Sequence, residues 1–121
     1  MASHLRMVLL ALVVSLAPAA VAQTATTISP ALSAYAEGLD AMMAARWQES
    51  IQAFSRALET AGDDPSFVLA RGVAYTLAED FPHGLQDLGR AKRLGFRGRE
   101  PELWTYVAEA MNGTYKAHRT R

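Results

Sequence analysis

From Gln23 onward, no stretch of the chain alternates apolar and polar residues long enough to make a convincing strand. Apolar residues recur instead at helical intervals, as at Trp47, Ile51 and Phe54 in RWQESIQAFSRALE. Ala is abundant, and Val and Thr are sparse after residue 28, which favours helix over strand. The expected fold is therefore all-α. Ser29-Pro30, Asp64-Pro65 and Glu100-Pro101 each place Pro where a first helical turn tolerates it, with Ser29 and Asp64 as good N-caps. Gly62 and Gly95 are expected to end the second helix of each unit, Gly98 adds slack, and Asn112-Gly113 is expected to stop the last helix.

The pattern repeats. With an offset of 34, Ala36 meets Ala70, Gly38 meets Gly72, Ala44 meets Ala78, Gln52 meets Gln86, Arg56 meets Arg90 and Ala57 meets Ala91. Trp47 meets Phe81, Ile51 meets Leu85 and Phe54 meets Leu88 without a gap. A glycine inside a helix costs about 1 kcal/mol relative to Ala, so Gly38 and Gly72 need a packing reason. Close approach of two antiparallel helices supplies one, with Gly38 expected against Ser50 and Gly72 against Gly84. Trp47, Phe54, Phe81 and Leu88 would then fill the wedge between successive pairs.

A period of 34 with this size pattern resembles the tetratricopeptide repeat, with one copy at residues 31–64 and a second at 65–98. Several consensus identities differ: Ala34, Glu37 and Ala41 in the first copy, Val68 and Arg71 in the second, and the closing Pro of both. In PELWTYVAEAMNG the same resemblance places Trp104, Val107, Ala108 and Met111 on a third first-helix, expected as a capping helix over residues 101–112, with a frayed basic tail at 114–121. It thus implies an α-solenoid of two helix-turn-helix repeats plus a C-terminal cap. It further implies a groove lined by the first helix of each repeat: Leu32, Tyr35, Leu39, Met42 and Met43 in copy one, and Ser66, Leu69, Val73, Thr76 and Leu77 in copy two. Such an apolar, Met-bearing surface suits an amphipathic helix or an extended apolar peptide of another protein. The alternative is that these side chains pack on one another. Family members that clamp a partner's C-terminal carboxylate carry Lys and Asn where Tyr35 and Leu39 stand, so that activity is not expected.

The N-terminal residues change where this domain is expected to work. The apolar run Met7–Ala17, Pro18 and the small-x-small trio Ala20-Val21-Ala22 have the layout of a secretory signal peptide cleaved after Ala22, which implies a periplasmic or secreted chain. A membrane association is expected only if that segment is retained. Residues 23–30 form a short lead-in. With no cysteine in the chain, disulfides and a thiolate nucleophile are excluded, and stability must come from packing or a partner.

Charge is lopsided. Residues 23–89 hold three basic residues against nine acidic ones, net −6, whereas residues 90–121 hold eight basic against three acidic, net +5. Arg90, Lys92, Arg93, Arg97 and Arg99 form a basic end that could steer an acidic partner or allow head-to-tail homo-oligomers, or simply face the helix dipole as solvated cations. Nucleic acid is not an expected partner of an exported chain whose mature net charge is −1. Chemistry has few candidates. His83, with Asp87 one turn on and Glu79 and Asp80 nearby, is the only start for a metal-dependent or hydrolase-like accessory enzyme, and a surface ion pair explains it as well. No phosphate loop, cofactor motif or metal-ligand spacing occurs, and no small-molecule substrate is indicated. The expectation is a protein-binding module without an enzymatic role, with the N-terminal piece of a longer repeat protein as a further alternative.

Overall fold

A computed structural model describes residues 28–119. The export segment expected at residues 1–22 lies outside the described residues, as do residues 23–27 and the last two. Five helices make up the described chain: α1 (Pro30–Met43), α2 (Trp47–Ala61), α3 (Pro65–Leu77), α4 (Phe81–Arg93) and α5 (Glu100–Arg119). Each packs on the next in order, and α5 also touches α3, so the fold is an all-α solenoid of two helix pairs and a closing helix. No described helix is long and apolar enough to cross a membrane.

Local chemistry sets the boundaries. Ser29 Oγ accepts the Leu32 N–H at 3.2 Å and Asp64 Oδ1 accepts the Ser66 N–H at 2.8 Å, which satisfies donors that a helix start leaves open. The turns inside the two pairs are copies at the 34-residue offset. Ala45 N–H donates to Met42 O (3.0 Å) and Arg46 N–H to Ala41 O (2.8 Å); Glu79 N–H donates to Thr76 O (3.0 Å) and Asp80 N–H to Tyr75 O (2.9 Å). Ala45 and Glu79 reach these bonds with left-handed backbone, φ 58° and 63°. The end of α4 repeats the motif with Gly95 at φ 88°.

The core runs along the stack as three adjoining clusters. Ala31, Ala34, Ala57 and Phe67 form the first; Ile51, Phe54, Ala70 and Ala74 the second; Val73, Phe81, Leu88 and Ala108 the third. Close contacts fall where the small residues predict them. Ser50 Oγ donates to Gly38 O at 2.8 Å, and a Cβ on Gly38 would overlap the Phe54 ring. A Cβ on Gly84 would come within 2.7 Å of Thr76 Oγ1 and 3.3 Å of Gly72 O. Helices at this separation accept hydrogen in that place and little else.

Repeat two departs from repeat one in its polar tie. Glu37 pairs with Arg56 on the surface at 2.8 Å. At the matching position stands Arg71, which reaches instead into the seam, with Nε to Asp87 Oδ2 at 2.7 Å and Nη2 to Asp87 Oδ1 at 3.0 Å. Ser55 Oγ, from the preceding pair, accepts from Arg71 Nη1 at 3.3 Å, and the guanidinium lies 5.9 Å from the Tyr75 ring centroid. Asp87 is buried, and its hydrogen bond raises the Arg71 pKa above the ordinary arginine value.

Two expectations about the last helix are corrected. It does not stop at Asn112-Gly113 but runs to Arg119, through the stretch expected to fray. A single glycine costs too little to end a helix whose neighbours favour it. Pro101 and Ala108 are buried at strict 34-residue steps from Phe67 and Ala74, and Trp104, half-buried, follows Ala70 in the same way. These residues lay α5 on α4 as their counterparts lay α3 on α2.

Candidate functional site

Along α1 the groove candidates split by depth. Tyr35 stacks on Phe67 with centroids 4.8 Å apart and lies 5.6 Å from the Phe54 ring, so it is half-buried and belongs to the seam. Leu39 and Met42 are half-buried against the second cluster, whereas Leu32 is 51% and Met43 87% exposed. On α3, Leu69, Val73 and Leu77 gather on the third cluster, and Ser66 is exposed at the helix start. Thr76 is corrected. It has no exposed surface, its hydroxyl donates to Gly72 O at 2.9 Å, and it fills the contact with Gly84. Its position along the helix matches the groove, but the close approach of α4 turns that side of α3 inward.

The 34-residue step reveals residues absent from the expected site. Leu103 follows Leu69 and Tyr35; Val107 follows Val73 and Leu39; Met111 follows Leu77 and Met43. Leu103 is 59% exposed and Val107 is also exposed, while Met111 packs on the third cluster beside Trp104. Three helices therefore contribute matching apolar positions, with Tyr35, Leu39, Leu69, Val73 and Leu77 as a packed floor and Leu32, Met43, Leu103 and Val107 accessible at its ends. Continuing the strict offset past Leu77, rather than restarting at Pro101, is the sequence signal that finds them.

The basic end is partly neutralised. Arg90 pairs with Asp63, and Lys92 Nζ lies 3.0 Å from Glu102 Oε1. That hydrogen bond, then the Lys92 charge, holds the Glu102 carboxyl below the ordinary glutamate range. Arg93 at the end of α4, and Arg97 and Arg99 in the loop that follows, are exposed.

The expected pairing of His83 with Asp87 does not form. His83 Nδ1 meets Asp80 Oδ2 at 2.8 Å within the cap of α4, its ring stacks on Tyr75 at 5.1 Å, and Asp87 is committed to Arg71. The i, i+4 spacing placed both on one helix, but His83 faces outward and Asp87 into the α3 seam. Among the described residues, no group of three or more His, Cys, Asp or Glu could hold a metal ion. An open cleft of about 400 Å³ lies between the α3–α4 turn and α5, lined by Glu79, Phe81, Ala110, Met111, Thr114 and His118. A polar cleft of about 360 Å³ follows the α1–α2 seam, where Glu37, Asp40, Glu49 and Arg56 face one another.

No family model, no curated protein and no solved structure matches this chain.

Proposed function

We propose that this chain is an exported, tetratricopeptide-like adaptor that holds an apolar peptide or amphipathic helix of another protein along α1, α3 and α5, and that it performs no chemistry of its own. The observation that supports the reading most is the recurrence of apolar side chains at 34-residue steps on three helices, which leaves Met43, Leu103 and Val107 accessible, with Leu32 exposed beside them on α1. A packed floor with exposed aliphatic ends offers burial at small reorganisation cost, and Met43 adapts to varied shapes. The secretory layout of residues 1–22 supports a periplasmic or secreted setting.

The test is selection of displayed peptides on the processed chain, followed by titration against variants. Tyr35 is too deeply packed to alter safely, so the variants are Leu32→Glu/Met43→Glu and Leu103→Glu. Selected peptides should carry apolar residues at helical or alternate spacing and lose at least tenfold in affinity in both variants, about 1.4 kcal/mol. Arg93→Ala/Arg97→Ala should leave binding unchanged. Peptides that respond to the arginines and ignore the apolar substitutions would move the site to the basic end.

A further inference from the structure

The glycines sort by what surrounds them. A Cβ on Gly38, Gly72 or Gly84 would meet a neighbouring helix and one on Gly89 the Arg93 side chain, whereas Gly62 and Gly95 have open space and positive φ, as turn glycines do. Gly113 fits neither group. A Cβ there would meet nothing within 4 Å, yet α5 runs straight through it without positive φ. No packing contact calls for a glycine at this position, and a helix interior disfavours one.

The repeat supplies the reason. Gly113 stands 34 residues after Glu79 and two such steps after Ala45, the residues whose left-handed backbone reverses the chain inside each pair. Thr114, an N-cap residue type, follows Arg46 and Asp80, the cap positions of α2 and α4. Tyr115 follows Trp47 and Phe81, which open the returning helices. Residues 113–115 thus carry the pattern of a third turn within a continuous helix. The residues beyond explain why the helix prevails. In the complete pairs the close contacts are Gly38 with Ser50 and Gly72 with Gly84; the matching positions hold Tyr106 and His118, too bulky for a returning helix to seat as tightly.

We infer that Gly113 is a hinge: α5 switches between the straight form and one bent in the left-handed turn of its counterparts, so that its last turns act as a lid. In the straight form Thr114 and His118 wall the cleft of about 400 Å³ that Phe81 and Met111 also line. Thr114 Oγ1 donates to Ala110 O at 3.0 Å, a bond that belongs to the straight helix. In the bent form His118 leaves the cleft for the side of α5 that bears Tyr106, and the cleft loses that wall. Such a hinge needs a residue that takes both backbone conformations without a Cβ penalty, which glycine does. The switch belongs to the chain without ligand, so it stands or falls apart from peptide binding in the groove.

Paramagnetic relaxation measured by NMR on the chain as the expressing cell processes it reads the bent form. With a nitroxide on His118→Cys, the sole cysteine, Tyr106 lies about 18 Å away along the straight helix and beside the label in the bent one. Relaxation falls steeply with distance, so a minor bent population is visible, and the Tyr106 signals should broaden more than the straight-helix spacing permits. Gly113→Val and Gly113→Asn then separate a turn from an unwinding helix end, since the two have similar helix propensity but only asparagine enters left-handed backbone readily. The excess broadening should fall about tenfold in Gly113→Val and stay within about twofold in Gly113→Asn. A labelled chain with no broadening beyond the straight-helix value, or equal broadening in the two variants, overturns the hinge.

Discussion

Ala45 and Glu79 adopt backbone that a residue with a Cβ reaches only at a cost of about 1–2 kcal/mol, and glycine would adopt it freely. Both turns keep their two hydrogen bonds regardless, so the strain is local. Ala45→Gly and Glu79→Gly should each raise the unfolding free energy by about 0.5–1 kcal/mol, the extra freedom of glycine in the unfolded chain cancelling the rest. Urea denaturation measures this, and a loss of stability in either variant would contradict the left-handed assignment. The same two positions show why part of the structure escapes the sequence: neither Ala nor Glu advertises a positive φ, whereas Gly62 and Gly95 do, and both lie at the helix ends expected of them.

At the level of elements, helix starts were legible because Ser29, Asp64 and the following prolines act through bonds to their own neighbours. The close approaches at Gly38 and Gly84 were legible because a missing Cβ leaves a periodic trace. The placement of α5 was not, since Pro101 marks where a helix begins and says nothing of which face will pack. The role of Asp87 was equally hidden, because its partner Arg71 lies 16 residues away on another helix. Between α4 and α5 the surface tie from Lys92 to Glu102 carries a pH signature. The Glu102 pKa is depressed in the fold, so its contribution is present above the ordinary glutamate value and is lost as pH falls through the depressed one. Carboxyl titration by NMR should find the Glu102 midpoint below that of a free glutamate, rising to the ordinary range in Lys92→Met.

Across the whole molecule, each helix packs most closely on its partner within a pair and then on the next pair, and Arg71 joins three elements, reaching α4 through Asp87 and α2 through Ser55. Asp87→Ala leaves a half-buried guanidinium without its carboxylate and should cost about 3 kcal/mol of global unfolding free energy. Glu37→Ala, which breaks an exposed pair, should cost less than about 1 kcal/mol. Equal losses in the two variants would show that the seam bond is no stronger than a surface one. Thermal and urea unfolding supply both values. Because each helix rests chiefly on its sequence neighbours, no element is threaded beneath a distant one among the described residues. Under tension applied between the two ends of the stack, the load therefore falls on one seam at a time and the helices peel off in order, like a zipper rather than a clasp. A molecule built this way yields at low force and re-forms readily when released, because every contact it must regain lies close by along the chain.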